Sequence, residues 1–247
     1  MTERGRSPDL YDIISDPAKR LAHEGEFLKR LLARAPGRRV LDMSCATGVH
    51  AEFLATQGAE VTARDISAEA VETARAARPH ERITYEIADM REPRGGPFDL
   101  CITMGNTLSL VGEYPDVLRS LSAVREMMSP AALGFVHVVN YHALEREGAR
   151  HKVARRETAD GEIVIVKSMT AAKGAGALVS FSYFERKGGQ WEVNGSQSVL
   201  LDLRREKLLT LVDEAGLAVE EEYGDYDLSA FVADKSPDLL LVLKRKP

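Results

Sequence analysis

The spacing of apolar residues switches between helical and strand-like periods along the chain, and this pattern predicts an alternation of helices and strands. Residues 16–34 carry an apolar stripe at helical spacing, which Pro36 and Gly37 end. Strand-like apolar runs follow at VLDM (40–43), EVTARD (60–65), ITYEIADM (83–90), FDLCITMG (98–105) and LGFVHVVN (133–140). Helical patterns lie between them at 48–57, from Ser67 to Ala77, and at 115–128. This alternation predicts a parallel sheet that is covered on both faces.

The alternation stops after residue 142. Segments 161–169, 177–187 and 190–201 are strand-like and are separated by glycine-containing turns, which predicts a three-stranded antiparallel insert. A helix near 204–215 and strands near 217–223 and 238–244 then complete the pattern. We therefore predict an α/β, Rossmann-like fold with a small antiparallel β insert. The predicted division is an N-terminal segment (1–36), a core (37–145 and 202–247) and the insert (146–201).

Composition narrows the class of protein. The 247 residues are 44% apolar and 29% charged, with a net charge of −5, so the chain can bury a sizeable core. Nucleic-acid binding is not expected, because it depends on clustered Lys and Arg. Cys45 and Cys101 lie in apolar strand contexts outside any CxxC, as reduced buried thiols do. With no apolar signal core and no membrane-length apolar run, we expect a soluble cytoplasmic protein.

The turn from Asp42 to Gly48 indicates which ligand the first strand could hold. It lacks the G-x-G-x-x-G pattern of dinucleotide sites and the GK[ST] of a P-loop, so a phosphate cradle is disfavoured. Asp65 ends the second strand, where a carboxylate can accept two hydrogen bonds from vicinal ribose hydroxyls. The predicted ligand therefore has a ribose and no phosphate at the turn. The alternative is that Asp42 and Asp65 merely cap helices.

Four segments together resemble class I S-adenosylmethionine-dependent methyltransferases. They are VLDMSCATGVHAEFL (40–54), VTARDIS (61–67), IADM (87–90) and FDLCITMGNTLSLV (98–111), and their order and spacing also match. The resemblance implies a mostly parallel sheet with an antiparallel last strand, S-adenosylmethionine as cofactor and S-adenosylhomocysteine as product. The cofactor-binding positions that it implies are Arg20, Asp42, Ser44, Cys45, Gly48, His50, Asp65, Ile66, Asp89, Met90 and Met104. Asp89 has a second interpretation as an ordinary turn residue.

Further segments resemble the glycine/sarcosine N-methyltransferase-like branch of that family. These are MGNTLSLV (104–111), VVNYHAL (138–144), the β insert and EEYGDYDLSAF (221–231). The resemblance implies that residues 1–36 form a lid and that Arg20 contacts the amino-acid end of the cofactor. Tyr11 and Asn106 are the implied catalytic residues. Asn106, Asn140, Tyr141 and Tyr226 are the candidate acceptor-binding residues. The alternatives are an exposed helix arginine at position 20 and tyrosines that only pack loops against the core.

Three positions depart from that branch. Ala46 replaces the second glycine of the turn, and alanine disfavours positive φ. Val139 stands where glycine-methylating members carry an arginine that pairs with the substrate carboxylate, and Leu110 stands where they carry a histidine. Loss of an Arg–carboxylate pair removes a charge-assisted contact, so glycine itself is not the expected acceptor.

The resulting functional prediction is in-line transfer of a methyl group to an amine nitrogen of a small molecule. The alternatives are a small-molecule O- or C-methyltransferase and a non-catalytic adenosyl-ligand-binding protein. A nucleic-acid methyltransferase would need a basic face and an NPPY-like motif after the fourth strand, where this chain has MGNTLSLV. No metal is expected, because His137 and His142 have no carboxylate or cysteine nearby in sequence. The expected partners are a small-molecule acceptor and, through the insert or the N-terminal segment, a second copy of the chain; no membrane is expected.

Overall fold

The computed structural model describes residues 8–158, 161–172 and 174–246. The helices in these ranges are α1 (Pro8–Ser15), α2 (Pro17–Arg34), α3 (Val49–Thr56), α4 (Ala68–Ala77), α5 (Tyr114–Met127), α6 (Tyr141–Glu147) and α7 (Arg205–Glu214). The strands are β1 (Arg39–Asp42), β2 (Glu60–Asp65), β3 (Ile83–Ile87), β4 (Phe98–Thr103), β5 (Met128–Val139), β6 (Ala149–Thr158), β7 (Gly161–Ala172), β8 (Gly176–Lys187), β9 (Gln190–Leu200), β10 (Leu217–Tyr223) and β11 (Asp238–Arg245). A short 3-10 helix, Thr107–Leu110, follows β4.

Seven strands form the main sheet in the order β10-β11-β5-β4-β1-β2-β3. Strands β1 to β5 run parallel to one another, whereas β11 runs antiparallel to both β5 and β10. The predicted Rossmann-like sheet with one antiparallel strand near its end is confirmed. Chain order reverses between β1 and β4, and the carboxyl ends of strands at such a point are where open α/β sheets bind ligands.

Both faces of the main sheet are buried, as its apolar strand sequences predicted. In β11, Leu239, Leu241 and Leu243 pack into one apolar cluster, while Leu240 and Val242 pack into a second cluster. Successive side chains of a strand point to opposite faces, so this split places one cluster on each side of the sheet. The core therefore holds the carboxyl ends of β1, β2 and β4 in fixed relative positions.

The insert is a separate four-stranded antiparallel sheet in the order β6-β7-β8-β9, so the prediction of three strands was wrong. Strand β6 was missed because its sequence, ARHKVARRET, is charged and offers few apolar residues. It is an edge strand, and charged residues are common on such edges because they prevent further pairing. The inner face buries Ile165, Val179 and Phe181. The insert sheet spans residues 149–200, and the division of the chain into units remains our proposal.

Two helices were not predicted. Helix α6 begins at Asn140, whose side chain accepts from the backbone N–H groups of His142 and Ala143. This N-cap signal was present in the sequence. Helix α1 precedes the predicted N-terminal helix, and Asp16 separates the two with a left-handed backbone, φ 56°. Among the described residues, no helix is long and apolar enough to cross a membrane.

Candidate cofactor and acceptor site

Two residues of the turn after β1 adopt backbone conformations that are usual for glycine. Ala46 has φ 47° and Gly48 has φ 83°, so both lie in the left-handed region. A Cβ at Gly48 would lie 2.7 Å from the hydroxyl of Tyr85, which requires glycine there. Ala46 adopts the conformation that its side chain disfavours, so the departure noted in the sequence is accommodated at the cost of backbone strain.

Asp65 fixes this turn to the end of β2. Its Oδ2 accepts from the backbone N–H of Ala46 at 2.9 Å, and its Oδ1 accepts from the N–H of Ser67 at 3.0 Å. Burial raises the pKa of Asp65, although both backbone hydrogen bonds oppose that rise. Ile66, the next residue, is 62% exposed, which is unusual for a large apolar side chain. A carboxylate beside an exposed apolar surface suits a ligand with hydroxyl groups next to a flat ring.

Asp42 is completely buried at the end of β1. Its Oδ1 accepts from the Ser44 N–H at 3.2 Å. Its Oδ2 and the Oγ of Ser44 are buried and have no hydrogen-bond partner in the part of the chain that the structure describes. Burial raises the pKa of Asp42 to about 7. Burial also raises the pKa of the neighbouring Cys45 thiol, which makes Cys45 an inert packing residue and not a nucleophile.

Arg20, Glu24 and His50 form a buried polar chain between α2 and α3. Glu24 accepts from Arg20 Nε at 3.0 and 3.2 Å, and its Oε2 lies 2.6 Å from His50 Nε2. Burial favours the neutral carboxylic acid, but the His50 hydrogen bond and the Arg20 charge outweigh it and lower the pKa of Glu24 to about 2. Burial lowers the pKa of His50. Glu24 was not predicted from the sequence, yet it orients both predicted residues.

Arg20 points towards the motif that follows β4. A Cβ placed on Gly105 would lie 3.4 Å from Arg20 Nη2, so the guanidinium reaches that glycine. Glu24 takes the Nε side of the guanidinium, and Nη2 faces Gly105. The guanidinium is therefore an oriented cation near the carboxyl end of β4. The alternative of an exposed helix arginine is wrong, since only 17% of the side chain is exposed.

The remaining predicted cofactor residues lie around the carboxyl ends of β3 and β4. Both carboxylate oxygens of Asp89 contact the guanidinium of Arg91, which also reaches Asp116. The Arg91 hydrogen bond lowers the pKa of Asp89, so this carboxylate is ionised and already partnered. Met90 is half-buried, and Met104 is 2% exposed beneath the site.

Asn106 connects the ends of β4 and β5. Its Oδ1 accepts from the Val139 N–H, and its own N–H donates to the His137 carbonyl at 3.3 Å. Its backbone has φ 68°, a conformation that asparagine tolerates better than most residues. The bond from Val139 orients the amide, whose Nδ2 is the side chain's hydrogen-bond donor. The sequence predicted Asn106 at this sheet end, and the structure adds the hydrogen bond that orients it.

Three predicted acceptor-binding side chains are already engaged within the core. The Nδ2 of Asn140 donates to the carbonyls of Ala233 and Ser236, in addition to its capping bonds. Tyr141 is 1% exposed and donates to the Oγ of Ser109 at 3.0 Å. The contact of Tyr141 favours the alternative interpretation, in which the tyrosines only pack loops against the core, and the amide of Asn140 is likewise bonded within the protein.

Tyr226 is likewise held by the core. It is 5% exposed, and its hydroxyl lies 2.9 Å from His137 Nδ1. Its ring makes an edge contact with Phe27. Burial raises the pKa of Tyr226, which keeps the hydroxyl protonated. His137 was considered in the sequence only as a metal ligand, and the structure makes it the partner of a buried tyrosine.

Helix α1 brings Tyr11 to the same side of the sheet. Tyr11 is half-buried, and its neighbour Asp12 contacts Thr47 of the turn and Arg78 at the end of α4. The sequence pattern gave no signal for Asp12, Thr47 or Arg78, because their contact depends on how α1 crosses the turn. Helix α1 therefore contacts the turn after β1 and the end of α4.

The residues present fit an adenosyl cofactor. A buried carboxylate oxygen without a partner at Asp42 suits a hydrogen-bond donor or cation, and Arg20 supplies a positive charge for a carboxylate. Asp65 and Ile66 supply a hydroxyl acceptor and an apolar surface. The site therefore has complementary groups for the amino-acid end, the ribose and the base of such a ligand.

Comparison with known proteins agrees with this geometry. Residues 40–131 match the family described as "Methyltransferase domain". Magnesium-protoporphyrin O-methyltransferase of Rhodobacter capsulatus is 34% identical over 39% of this chain and 43% of its own length. Glycine N-methyltransferase of Oryctolagus cuniculus is 30% identical over 56% of this chain and 52% of its own length. The chain thus spans about half of the length of these curated relatives.

A solved structure shares the whole architecture. The S-adenosylmethionine-bound amino pentose methyltransferase from Micromonospora echinaspora superposes with a TM-score of 0.68 at 17% identity, covering 98% of this chain and 93% of that one. At this identity the likeness concerns the fold. The predicted resemblance is confirmed: the chain has the fold of S-adenosylmethionine-dependent methyltransferases, and its residues 40–131 match a methyltransferase domain.

Proposed function

We propose that this chain is an S-adenosylmethionine-dependent methyltransferase that transfers a methyl group to an amine nitrogen of a small molecule. The observation that carries the proposal is the convergence of Asp42, Asp65 and the Arg20 guanidinium around one turn. These groups match the charges and hydroxyls of the cofactor. Relatives in the comparison act on nitrogen and on oxygen, so the choice of nitrogen is our inference.

The residues have separate roles in this proposal. Arg20 would bind the cofactor carboxylate, with Glu24 and His50 holding its guanidinium in place. Asp65 would accept hydrogen bonds from the ribose hydroxyls, while Ile66 would cover the base. When bound, S-adenosylmethionine supplies an electrophilic methyl group. The protein's task is then to exclude water and to orient the acceptor, which can contribute roughly 7–11 kcal/mol.

The acceptor pocket lacks a cation at the two positions where the glycine-methylating branch has basic residues. Val139 is 3% exposed and belongs to the core, and Leu110 is 36% exposed at the end of the 3-10 helix. Neither can pair with a carboxylate, so we propose an acceptor without one. Asn106 Nδ2 would donate to an oxygen of the acceptor and Tyr11 would cover the methyl group. The net charge of −5 supports a small molecule over nucleic acid.

A methyl-transfer screen tests this function. Release of S-adenosylhomocysteine would be followed with glycine, sarcosine, neutral amines, amino sugars and hydroxyl acceptors. We expect turnover with neutral amines and little with glycine. Turnover with hydroxyl acceptors only would contradict the nitrogen assignment. Binding of the cofactor without turnover of any acceptor would favour the non-catalytic binding protein.

The outer face of the insert supports a homo-oligomer. Val153, Val193 and Val199 point outward there and are each at least 63% exposed, and Trp191 is 48% exposed. We propose that a second copy covers this face, since large exposed apolar residues that share one face of a sheet suit contact with another protein surface. Light scattering is expected to report a dimer or larger for the wild type and a monomer for Val193→Ser/Val199→Ser. Val232→Ser, which removes another exposed valine, is the control.

The two cysteines support a cytoplasmic location, which we propose from the sequence. Cys45 and Cys101 are both free and buried. Their burial raises the pKa of each thiol, so neither is poised for oxidation.

A further inference from the structure

Helix α1 is fastened across the turn by three side chains. Asp12 Oδ1 accepts from Thr47 Oγ1 at 2.6 Å, and Asp12 Oδ2 pairs with Arg78 Nη2 at 2.6 Å. Arg78 Nη1 also donates to the Thr47 carbonyl at 2.5 Å. Asp12, Thr47 and Arg78 belong to α1, to the turn and to the end of α4, and we call these three residues the latch.

The latch is protected from solvent. The Arg78 side chain is 12% exposed, the Asp12 side chain is 24% exposed and Thr47 is 3% exposed. Glu52 Oε2 lies 3.4 Å from Arg78 Nε and holds the guanidinium from a second direction. Charge-assisted hydrogen bonds in such surroundings are stronger than ion pairs on the open surface.

Helix α1 needs such contacts to keep its position. It has eight residues, and isolated helices shorter than about 12–15 residues are marginal in water. Its C-terminal end is anchored on the other side, where Ile14 is 1% exposed and Lys152 Nζ donates to the Ser15 carbonyl. The helix therefore contacts the insert at one end and the turn on its other side. The latch is its attachment to the turn.

Helix α1 lies at the cofactor-binding end of the sheet. The turn residue Thr47, which contacts Asp12 of α1, is 3% exposed. A ligand held by Asp42 and Asp65 would lie against the same turn to which Asp12 and Arg78 fasten α1. We propose that the latch holds α1 closed over the bound adenosyl ligand and thereby sets the rate at which cofactor and product are exchanged.

The latch residues are positioning residues, because they act through α1 and need not touch the reacting atoms. The inference requires only that an adenosyl ligand binds, so it is independent of the identity of the methyl acceptor. Breaking the latch should leave the cofactor contacts of Asp42 and Asp65 in place while making α1 easier to open.

The experiment measures release of tritiated S-adenosylhomocysteine from the full chain by rapid filtration. We expect Asp12→Asn and the near-isosteric Thr47→Val each to release the ligand about tenfold faster. Because the three residues form one unit, Asp12→Asn/Arg78→Met should be no faster than the faster of its two single variants. Arg82→Met is the matched control, since Arg82 pairs with exposed Glu60 away from α1 and should leave release unchanged.

A second measurement needs no ligand. Hydrogen exchange of the α1 amides should be faster in Asp12→Asn and Thr47→Val than in the wild type, while exchange in β1 and β4 stays the same. Unchanged release in both variants would overturn the proposal, and so would additive effects in the double variant. If the wild type bound no adenosyl ligand, the proposed function would fail separately, and unchanged α1 exchange would still overturn the latch.

Discussion

Ala46 donates its backbone N–H to Asp65 Oδ2 at 2.9 Å, which ties the turn after β1 to the end of β2. The same alanine has φ 47°, a conformation that favours glycine. One residue thus carries both a strained backbone and a contact to the predicted ribose-binding carboxylate. The geometry of the site depends on this pair.

Replacing Ala46 with glycine should stabilise the protein. A left-handed conformation costs an alanine about 1–2 kcal/mol, and the greater freedom of glycine in the unfolded chain offsets part of the gain. We expect Ala46→Gly to raise the free energy of unfolding in urea by about 0.5–1 kcal/mol. Ala55→Gly in α3 is the control and should lose about 1 kcal/mol. A loss of stability in Ala46→Gly would show that the turn is not strained.

Asp65 should determine cofactor affinity. Hydrogen bonds to a charged group contribute about 1.5–3 kcal/mol, so Asp65→Asn should weaken binding of S-adenosylhomocysteine about 10- to 100-fold by calorimetry. Asp65→Ala should bind more weakly still, because it also releases the Ala46 N–H. Glu69→Gln, an exposed acid in the first turn of α4, is the control. Equal affinity in wild type and Asp65→Ala would refute the ribose-binding role.

Asp42 should make stability depend on pH. Burial raises the pKa of Asp42 to about 7 in the folded state, so the folded chain holds this proton more tightly than the unfolded chain. Its contribution is fully present below the ordinary carboxyl pKa near 4 and is lost as the pH rises towards 7. We expect Asp42→Asn to flatten that decline, by up to about 1.4 kcal/mol per pH unit in denaturation measurements. Parallel pH profiles for the two proteins would contradict the prediction.

Glu24 should matter far more than its neighbour Glu26. Removing the charge at Glu24 leaves the buried Arg20 guanidinium without its ionic partner, and breaking such pairs costs about 3–5 kcal/mol. Glu24→Gln should therefore lower the free energy of unfolding by an amount near the lower end of that range and weaken cofactor binding. Glu26→Gln removes an exposed pair with Lys29 and should change neither quantity. Similar urea midpoints for the two variants would contradict a stabilising role for the buried contacts of Glu24 with Arg20 and His50.

The amino-acid sequence was sufficient to predict the main sheet, which the structure confirms; the binding positions that it indicates remain predictions. Strand β11, LLLVL at its centre, had to be buried on both faces because it has no polar face to present to water. Asp42 and Gly48 after β1, and Asp65 at the end of β2, predict a turn that holds no phosphate, because their backbone and charge requirements are local. The segments that resemble methyltransferases, 40–54 and 61–67, contain these same residues.

How the side chains share their hydrogen bonds depends on the packing of elements that are distant in sequence. Asn140 and Tyr141 looked like acceptor ligands, but each finds partners in segments distant in sequence, Ala233 and Ser109. The latch likewise joins Asp12 to Arg78, 66 residues apart. Sequence periodicity reports which face of an element is buried. It does not report which polar groups meet across elements, because that depends on how those elements pack in three dimensions.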